Sequence, residues 1–252
     1  MTSEKDQSKN TIYVRCNLCG ADDTSPWLEG SAGKVVICNK CGLIYVNPRP
    51  PIEWVQEIYD EDYSSYFIKR APKKLRRARR ILKGIHKLTR PPGRLLDIGC
   101  SAGFFIQASK EAGWDVDGVE PSLSATTYAF QTYGLKIFNG LLEQAAFPAR
   151  SFDVITSFNA IEHDEDPLNH LREICRILKD DGLVLIWTPD ASHPWARCHR
   201  KKYFMVDRIE HLYYFHRKVL YRMLDAAGLR FAGLAGMNLK PGMKIYARKK
   251  VI

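Results

Sequence analysis

The sequence predicts an α/β fold in which a mostly parallel sheet follows a small cysteine-rich unit. From Arg94 onward, short apolar runs alternate with amphipathic segments, a pattern typical of parallel strands joined by crossover helices. Before this region, residues 11–50 contain two Cys-x-x-Cys pairs and few helix signals. Residues 51–92 have helical patterning and become strongly basic before the turn sequence PPG. We therefore predict a ribbon over 11–50, a helical connecting segment or lid over 51–92, and the sheet domain over 93–252.

The strands of the sheet are predicted where short apolar runs occur, and the helices where apolar residues recur at helical spacing. Predicted strands cover LLDIG (95–99), DVDGVE (115–120), LKIFN (135–139), FDVITSF (152–158) and LVLIWT (183–188). Helices are expected near 103–112, 122–133, 166–179 and 217–227. The helix near 166–179 places Cys175 on one helical face with Leu171 and Leu178. The final segments FAGLAG and KIYARK are expected to close the sheet as an antiparallel hairpin.

Composition indicates a globular protein. The chain has 252 residues, of which 45% are hydrophobic, and no stretch approaches the roughly 18 consecutive apolar residues of a membrane span. The N-terminal MTSEKDQSKN lacks the apolar stretch of a signal peptide. We therefore expect a cytoplasmic protein without a transmembrane segment, in which the seven cysteines are thiols or metal ligands rather than disulfides.

The net charge of +10 is concentrated in one segment. Eleven Lys and Arg and no acidic residue lie between Lys69 and Arg90, and Leu75, Ala78, Leu82 and Ile85 recur there at helical spacing. This pattern predicts a helix with one apolar stripe. Its cations either form a solvated back or attract a diphosphate-bearing acceptor, RNA or an anionic membrane surface.

Four of the cysteines have the spacing of a structural zinc site. Cys16-Asn-Leu-Cys19-Gly and Cys38-Asn-Lys-Cys41-Gly are separated by eighteen residues. Each unit predicts a tight knuckle that directs two thiolates at one point, and its glycine can take the positive φ of such a turn. The two knuckles supply a closed tetrahedral set of sulfur ligands, which leaves no open position for catalysis. A Zn²⁺ in this ribbon is thus expected to be structural.

The segment GCSAG, residues 99–103, fits two different sites. It matches the nucleophile elbow of a serine hydrolase and also the first strand-to-helix loop of a nucleotide-binding sheet. Its position decides between them, because LLDIG is the first strand of the sheet and no oxyanion segment precedes it. Glu120 ends the next strand seventeen residues after Gly103, where a ribose-binding acid is expected. The sequence therefore favours a nucleotide-binding loop.

Several motifs in order resemble those of class I S-adenosylmethionine (SAM) methyltransferases, which have a Rossmann-like sheet. LLDIGCSAGFF is similar to the first motif, VDGVEPS to the second, GLLEQAAFPARSFDVI to the third, and SFNAIEHDEDPLNHLREICRILKDDGLVLIWTP to the fourth and the region after it. With the cysteine pairs, the chain looks like zinc-ribbon methyltransferases of bacterial sugar, polysaccharide or secondary-metabolite pathways. The resemblance implies SAM as cofactor.

The resemblance also implies where SAM binds. Gly99 and Gly103 would let the backbone approach the methionine part, and Ser101 stands where the family usually has glycine. Asp97 either lies near the cofactor's amino group or fixes the loop through backbone N–H groups. Glu120 would accept the ribose hydroxyls. Leu141 replaces the aspartate that commonly binds adenine, so apolar contact and the Leu142 backbone are left for that role. The full expected set is Asp97, Gly99, Cys100, Ser101, Gly103, Phe104, Glu120, Pro121, Leu141, Leu142, Phe158 and Asn159.

His163, beside Glu162, is the predicted catalytic base. It lies one turn beyond the fourth strand, and an imidazole can accept a hydroxyl proton close to neutral pH. A structural histidine is the alternative. In ubiquinone-pathway O-methyltransferases, the positions matching Asn159, Glu162 and His163 resemble a divalent-metal site. Because Asn159 replaces an acid, we expect no catalytic metal.

Acceptor-binding residues are expected outside the common sheet. The segment 190–213 is rich in His, Arg and aromatic residues, as a lid or a polar pocket would be, and YDEDYSSYF (59–67) is either a second lid or a helix end. The candidates are Tyr63, His193, Trp195, Arg197, His199 and His211.

The sequence thus predicts a SAM-dependent methyltransferase for a small or carrier-linked polar acceptor such as a sugar intermediate, with O-methylation favoured. Two alternatives stay open. An RNA methyltransferase would bind through the ribbon and the basic helix, although no RNA-binding motif is recognised. A non-enzymatic binding module on the same fold is the other. The oligomeric state is not predicted.

Overall fold

The structure, a computed structural model, describes residues 11–30, 33–51, 69–194, 196, 210–236 and 242–250. Its strands are β1 (Thr24–Gly30), β2 (Gly33–Cys38), β3 (Ile44–Val46), β4 (Arg94–Ile98), β5 (Asp115–Glu120), β6 (Phe138–Asn139), β7 (Phe152–Phe158), β8 (Leu178–Pro189), β9 (Tyr213–Tyr214), β10 (Leu229–Leu234) and β11 (Gly242–Lys249). Its helices are α1 (Ala71–Ile85), α2 (Phe104–Glu111), α3 (Leu123–Tyr133), α4 (Pro167–Ile177) and α5 (Arg217–Ala226). Short 3-10 helices cover Leu142–Ala145 and Ile161–His163.

A seven-stranded sheet forms the main domain, in the order β10-β11-β8-β7-β4-β5-β6. Five neighbouring strands, β8, β7, β4, β5 and β6, are parallel. β11 pairs antiparallel with β8, and β10 pairs antiparallel with β11. The chain reverses its direction across the sheet between β4 and β7. In open α/β sheets, ligands bind at the carboxyl ends of the strands at such a switch point. The predicted α/β fold with its C-terminal hairpin is confirmed.

Helices cover both faces of the sheet, and successive residues of a strand pack on opposite faces because their side chains alternate. Leu95 packs with α1, α2 and Trp114, whereas Leu96 packs in the cluster that includes α4 and α5. α1 contributes the apolar stripe predicted for the basic segment, with Ala78, Leu82 and Ile85 buried. The remaining faces of α1 present its cations.

Two predicted elements differ from the observed ones. The strand expected over 135–139 is formed only by Phe138–Asn139. The helix expected to reach residue 179 ends at Ile177, because Leu178 has an extended ψ of 141° and begins β8. Leu178 therefore does not share a helical face with Leu171 and Cys175, although all three pack in or against the same core cluster.

The cysteine-rich region forms a second sheet, β1-β2-β3-β9, whose last strand comes from beyond β8. The Val46 N–H donates to the Leu212 carbonyl at 2.9 Å, and the Asn17 side chain donates to Asp166 Oδ1 at 2.7 Å. Arg49 donates to the Glu165 carbonyl at 3.0 Å. The two sheets are thus joined by direct hydrogen bonds.

Over the described ranges, no helix is both long and apolar enough to cross a membrane.

Candidate functional site

The loop that follows β4 adopts an unusual backbone conformation. Gly99, Ser101 and Gly103 have φ values of +66°, +53° and +74°. A Cβ on Gly99 would lie 2.9 Å from Ala160 Cβ, and one on Gly103 would lie 2.9 Å from Leu135 Cδ1. Both glycines are therefore required by the surrounding protein as well as by their φ. Ser101 accepts the left-handed conformation at a cost of about 1–2 kcal/mol.

The Glu120 carboxylate holds this loop from the end of β5. Its Oε2 accepts the Ser101 backbone N–H at 2.8 Å, and its Oε1 accepts the Ser122 N–H at 3.0 Å. The side chain is only 4% exposed. An ionised carboxylate has about four acceptor sites, and these two backbone donors use two of them. This geometry suits an acid that binds a ribose.

Asp97 lies beneath the loop and bonds to the neighbouring strand. The Thr156 hydroxyl donates to its Oδ1 at 2.6 Å, and the residue is 2% exposed. Burial and, to a smaller extent, the nearby Glu120 charge raise the pKa of Asp97 to about 7, although the Thr156 hydrogen bond acts to lower it. The observed partner is thus neither a backbone N–H nor a ligand group, and the predicted contact with a cofactor amino group stays a prediction.

Two buried hydroxyls beside the loop have no partner among the described residues. These are Ser101 Oγ and Ser157 Oγ, the second at the end of β7. A buried hydroxyl without a partner is costly, so groups of this kind point to a missing ligand or water. The two hydroxyls suit the polar groups of a cofactor, and the predicted cofactor contacts stay predictions.

The other predicted cofactor residues lie around the same strand ends, and their roles in cofactor binding stay predictions. Phe158 packs edge-to-face on Phe105 at 5.0 Å, and Asn159 has a φ of +51° and donates its N–H to the Trp187 carbonyl at 2.6 Å. Cys100 and Phe104 are buried, and Pro121 is exposed. Leu141 is 42% exposed, whereas the Leu142 side chain is in the core.

His163 follows β7 on the short 3-10 helix Ile161–His163 and is held by a distant segment. Its Nδ1 lies 2.8 Å from the Glu210 carbonyl oxygen, and its ring centroid lies 4.7 Å from that of His211. A carbonyl can only accept, so Nδ1 carries the proton and Nε2 is the basic nitrogen. The local arrangement thus orients the imidazole as a base requires. His211, a predicted acceptor residue, is its buried neighbour.

Glu162 is fully buried beside His163. The Thr188 hydroxyl donates to its Oε2 at 2.9 Å, while Oε1 has no hydrogen-bond partner within the described part of the chain. Burial raises the pKa of Glu162 to about 8, despite the hydrogen bonds that favour its charged form. At neutral pH the side chain is therefore mainly a neutral carboxylic acid.

Glu162, His163 and His211 could also share a cation. One ligand atom from each lies within 4.8 Å of the others, and the pair of imidazoles with a carboxylate suits a divalent transition metal. The absence of a catalytic metal stays a prediction, which rests on Asn159 standing where the ubiquinone-pathway enzymes have an acid.

The four paired cysteines converge as the sequence predicts. The Sγ atoms of Cys16 and Cys41 are 3.3 Å apart, those of Cys19 and Cys38 are 3.6 Å apart, and all four lie within 4.8 Å of one another. Zinc–sulfur bonds of about 2.3 Å in a tetrahedron place sulfurs about 3.8 Å apart. Gly20 and Gly42 have φ values of +70° and +79°, which confirms the predicted knuckle geometry. The cluster fits Zn²⁺.

The predicted acceptor residues fall into two groups. His193 and His211 are described, with the His193 N–H donating to the Asp190 carbonyl at 3.2 Å. Tyr63, Trp195, Arg197 and His199 lie outside the described residues. Sequence reasoning missed Thr156 and Thr188, the partners of Asp97 and Glu162. Their positions in strands gave no local signal, because both contacts join distant segments.

Zinc content tests the cysteine cluster. We expect the purified chain to carry about one Zn²⁺, and Cys41→Ser to lose it, because three sulfurs cannot close the tetrahedron. Mass spectrometry of metal content gives the readout. Cys175→Ser, which changes a cysteine outside the cluster, should retain the ion. Equal zinc content in both variants would contradict the assignment.

The pH dependence of stability tests the buried Asp97 carboxyl. Since its folded-state pKa is raised to about 7, folding favours the protonated form, and its stabilisation is complete below pH about 4 and lost as the pH rises through 7. Relative to Asp97→Asn, the unfolding free energy of the wild type should fall over this window by at most about 1.4 kcal/mol per pH unit. Urea denaturation at several pH values measures the unfolding free energy.

Asp115→Asn, at an exposed acid, should show the same pH dependence as the wild type. If Asp97→Asn also showed the wild-type pH dependence, the assignment would be contradicted.

Comparisons with known proteins identify the family and the fold of the chain. The model of the methyltransferase domain family matches residues 71–232. A ubiquinone biosynthesis O-methyltransferase of Aliivibrio fischeri is 26% identical over 169 residues, which cover 62% of this chain and 72% of that protein.

The solved YcgJ protein of Bacillus subtilis is 25% identical with a TM-score of 0.53, over 62% of this chain and 70% of that one. A SAM-dependent methyltransferase of Thermotoga maritima, described as a possible histamine N-methyltransferase, has a TM-score of 0.56 at 22% identity, over 73% and 96% of the two chains. Because the family model covers more than half of the sequence, the chain belongs to the methyltransferase domain family.

Proposed function

We propose that the chain is a SAM-dependent O-methyltransferase whose acceptor is the hydroxyl of a small or carrier-linked polar metabolite such as a sugar intermediate. Family membership supports methyl transfer, and the methyltransferase neighbours support SAM as the cofactor. The name of the Aliivibrio fischeri relative supports oxygen as the atom methylated. The observation that carries the proposal is the oriented His163 imidazole beside the carboxyl end of β7.

The cofactor is proposed to lie across the carboxyl ends of β4 and β5. Glu120 would accept the ribose hydroxyls, and the Ser101 hydroxyl, which has no partner among the described residues, would bond to the ligand. The exposed Leu141 side chain offers an apolar contact for the adenine. SAM supplies a methyl group that its sulfonium already activates.

The acceptor hydroxyl is proposed to bind between His163 and the end of β7. His163 Nε2 would take the hydroxyl proton as the oxygen forms its bond to the methyl carbon, and the carbon–sulfur bond breaks with its electron pair moving to sulfur. The Glu210 carbonyl stabilises the imidazolium because it accepts the Nδ1–H. Positioning supplies most of the rate, with up to about 7–11 kcal/mol available from orientation alone in favourable cases.

Cofactor binding tests the role of Glu120. Removing the carboxylate in Glu120→Ala should weaken SAM binding by about 100-fold or more, because hydrogen bonds to charged groups contribute about 1.5–3 kcal/mol each. Calorimetric titration with SAM measures the loss. Glu120→Gln, which retains one carbonyl acceptor for the loop, should fold normally and show an intermediate affinity. Asp115→Ala, on the same strand, is the matched control, and normal SAM binding by Glu120→Ala would oppose the proposal.

Turnover tests the role of His163. The acceptor is first identified by transfer of a tritiated methyl group to nucleotide sugars, lipid-linked glycans, small phenols and bulk RNA. With that acceptor, His163→Ala should lower kcat by about 10²–10⁴-fold, the range of general-base catalysis, while SAM affinity stays within about twofold. His86→Gln, at a histidine bonded to Trp114 away from the cleft, should match the wild type. Equal loss of turnover and SAM affinity, or loss of neither, would reject the base, and label entering only RNA would reject the proposed acceptor class.

A further inference from the structure

A groove of about 850 Å³ lies between α1 and the antiparallel end of the sheet, outside the SAM cleft. Six basic side chains line it: Lys73, Arg76, Arg77, Arg80 and Lys87 of α1 and its C-terminal end, and Lys244 of β11. Its floor is apolar and includes Ile81, Leu185 and Leu234. The cations that lie within α1 extend from Lys73 to Arg80, or about 10 Å at the rise of a helix. We call this feature the cationic groove.

The described residues place no acidic partner on the cations of the cationic groove. No acidic residue is among those that line it, and none of its six cations forms an ion pair with a described residue. By contrast, Arg79 on another face of α1 pairs with Glu111 at 2.9 Å. Within the described part of the chain, the cations that line the groove thus differ from Arg79, which has a carboxylate partner.

Two of the cations converge on one aromatic ring. Arg77 Cζ lies 3.8 Å from the centroid of the Trp187 ring, and Lys244 Nζ lies 4.0 Å from it. Burial lowers the pKa of Lys244, and the Arg77 charge lowers it further. The two like charges thus repel each other in a partly desolvated place, and a bound anion would relieve that repulsion.

This end of the cationic groove adjoins the proposed acceptor site. The Trp187 ring lies 6.4 Å from that of Phe158, and the Trp187 carbonyl accepts the Asn159 N–H at 2.6 Å. Phe158 and Asn159 mark the end of β7, which His163 follows. Arg77 and Lys244 are therefore linked to the end of β7 through the packed Trp187 and Phe158 rings.

We propose that the cationic groove binds the diphosphate group of a small diphosphate ester, and that this ester is the methyl acceptor. Arginine side chains suit phosphate oxygens, several cations in a row suit more than one phosphate, and the apolar floor suits the organic part of the ester. RNA is a poorer match, because Trp187 is covered by Arg77 and Lys244 and the groove-lining Tyr246 is only 9% exposed, so neither offers an open ring face to a base. The identification of the ester as acceptor rests on the proposed function, whereas diphosphate binding does not.

Charge reversal on two faces of α1 tests the site. Arg77→Glu changes a residue of the cationic groove, and Lys83→Glu makes the same change of net charge at an exposed position of α1 outside it. Inorganic pyrophosphate is titrated into the zinc-containing full chain at constant ionic strength and followed by calorimetry. Binding should weaken about tenfold or more in Arg77→Glu and stay within about twofold in Lys83→Glu. Lys244→Gln should weaken binding in the same direction.

The source of the diphosphate is identified with two esters. UDP-glucose binding more tightly than farnesyl diphosphate would assign a nucleotide-linked acceptor, and the reverse order would assign a lipid-linked one. Either order supports the site, provided that Arg77→Glu weakens binding of the preferred ester.

Three results would overturn the proposal: no binding of pyrophosphate or either ester, equal weakening in Arg77→Glu and Lys83→Glu, or binding of an RNA oligonucleotide alone. SAM is titrated in parallel with every variant. If SAM binds and no diphosphate does, the groove proposal fails and the proposed function stands. If diphosphate binds and SAM does not, the proposed function fails instead.

Discussion

The site depends on the carboxylate of Glu120, which joins two adjacent parallel strands where they end. β4 and β5 pair in register, with Ile98 opposite Val119, so the loop after β4 begins beside Glu120. Three of the five residues in this loop have positive φ, and Ser101 adopts this conformation at a cost in free energy. The charge-assisted hydrogen bond from the Ser101 N–H to Glu120 compensates for it. One buried acid therefore shapes the loop after β4 and fixes it to the end of β5.

A second constraint links the cysteine-rich sheet to the histidine site. The Leu212 carbonyl accepts the Val46 N–H from the edge of β3, and the Leu212 N–H donates to the Glu162 carbonyl at 2.9 Å. The two residues before it, Glu210 and His211, contact His163. One extended segment is thus fixed by the ribbon on one side and orients the proposed base on the other. The cysteine-rich sheet is thus connected by hydrogen bonds to the backbone that carries His163.

The sequence predicted the elements that depend on local pattern. FDVITSF forms β7 with the expected limits because its residues fit a buried strand, and the two CxxCG units converge because each is a self-contained turn. The contacts of Asp97 with Thr156 and of His163 with Glu210 could not be predicted, since they join residues 59 and 47 positions apart. Leu178 was wrongly assigned to a helix because its strand pairing is also with a residue distant in the sequence. Its apolar side chain continues the helical stripe, yet pairing with Phe152 places it in β8.

The charge distribution of α1 is explained better by ligand binding than by stability. Its first turn contains no acidic residue, and its cations oppose the helix dipole there, while like charges three and four residues apart repel each other. The helix persists because Ala78, Leu82 and Ile85 bury its apolar stripe. A solvated surface would tolerate alternating charges equally well, so stability alone does not select this run of cations. Natural sequences break such local rules chiefly at functional sites, and here five of the cations of α1 and its C-terminal end line the cationic groove.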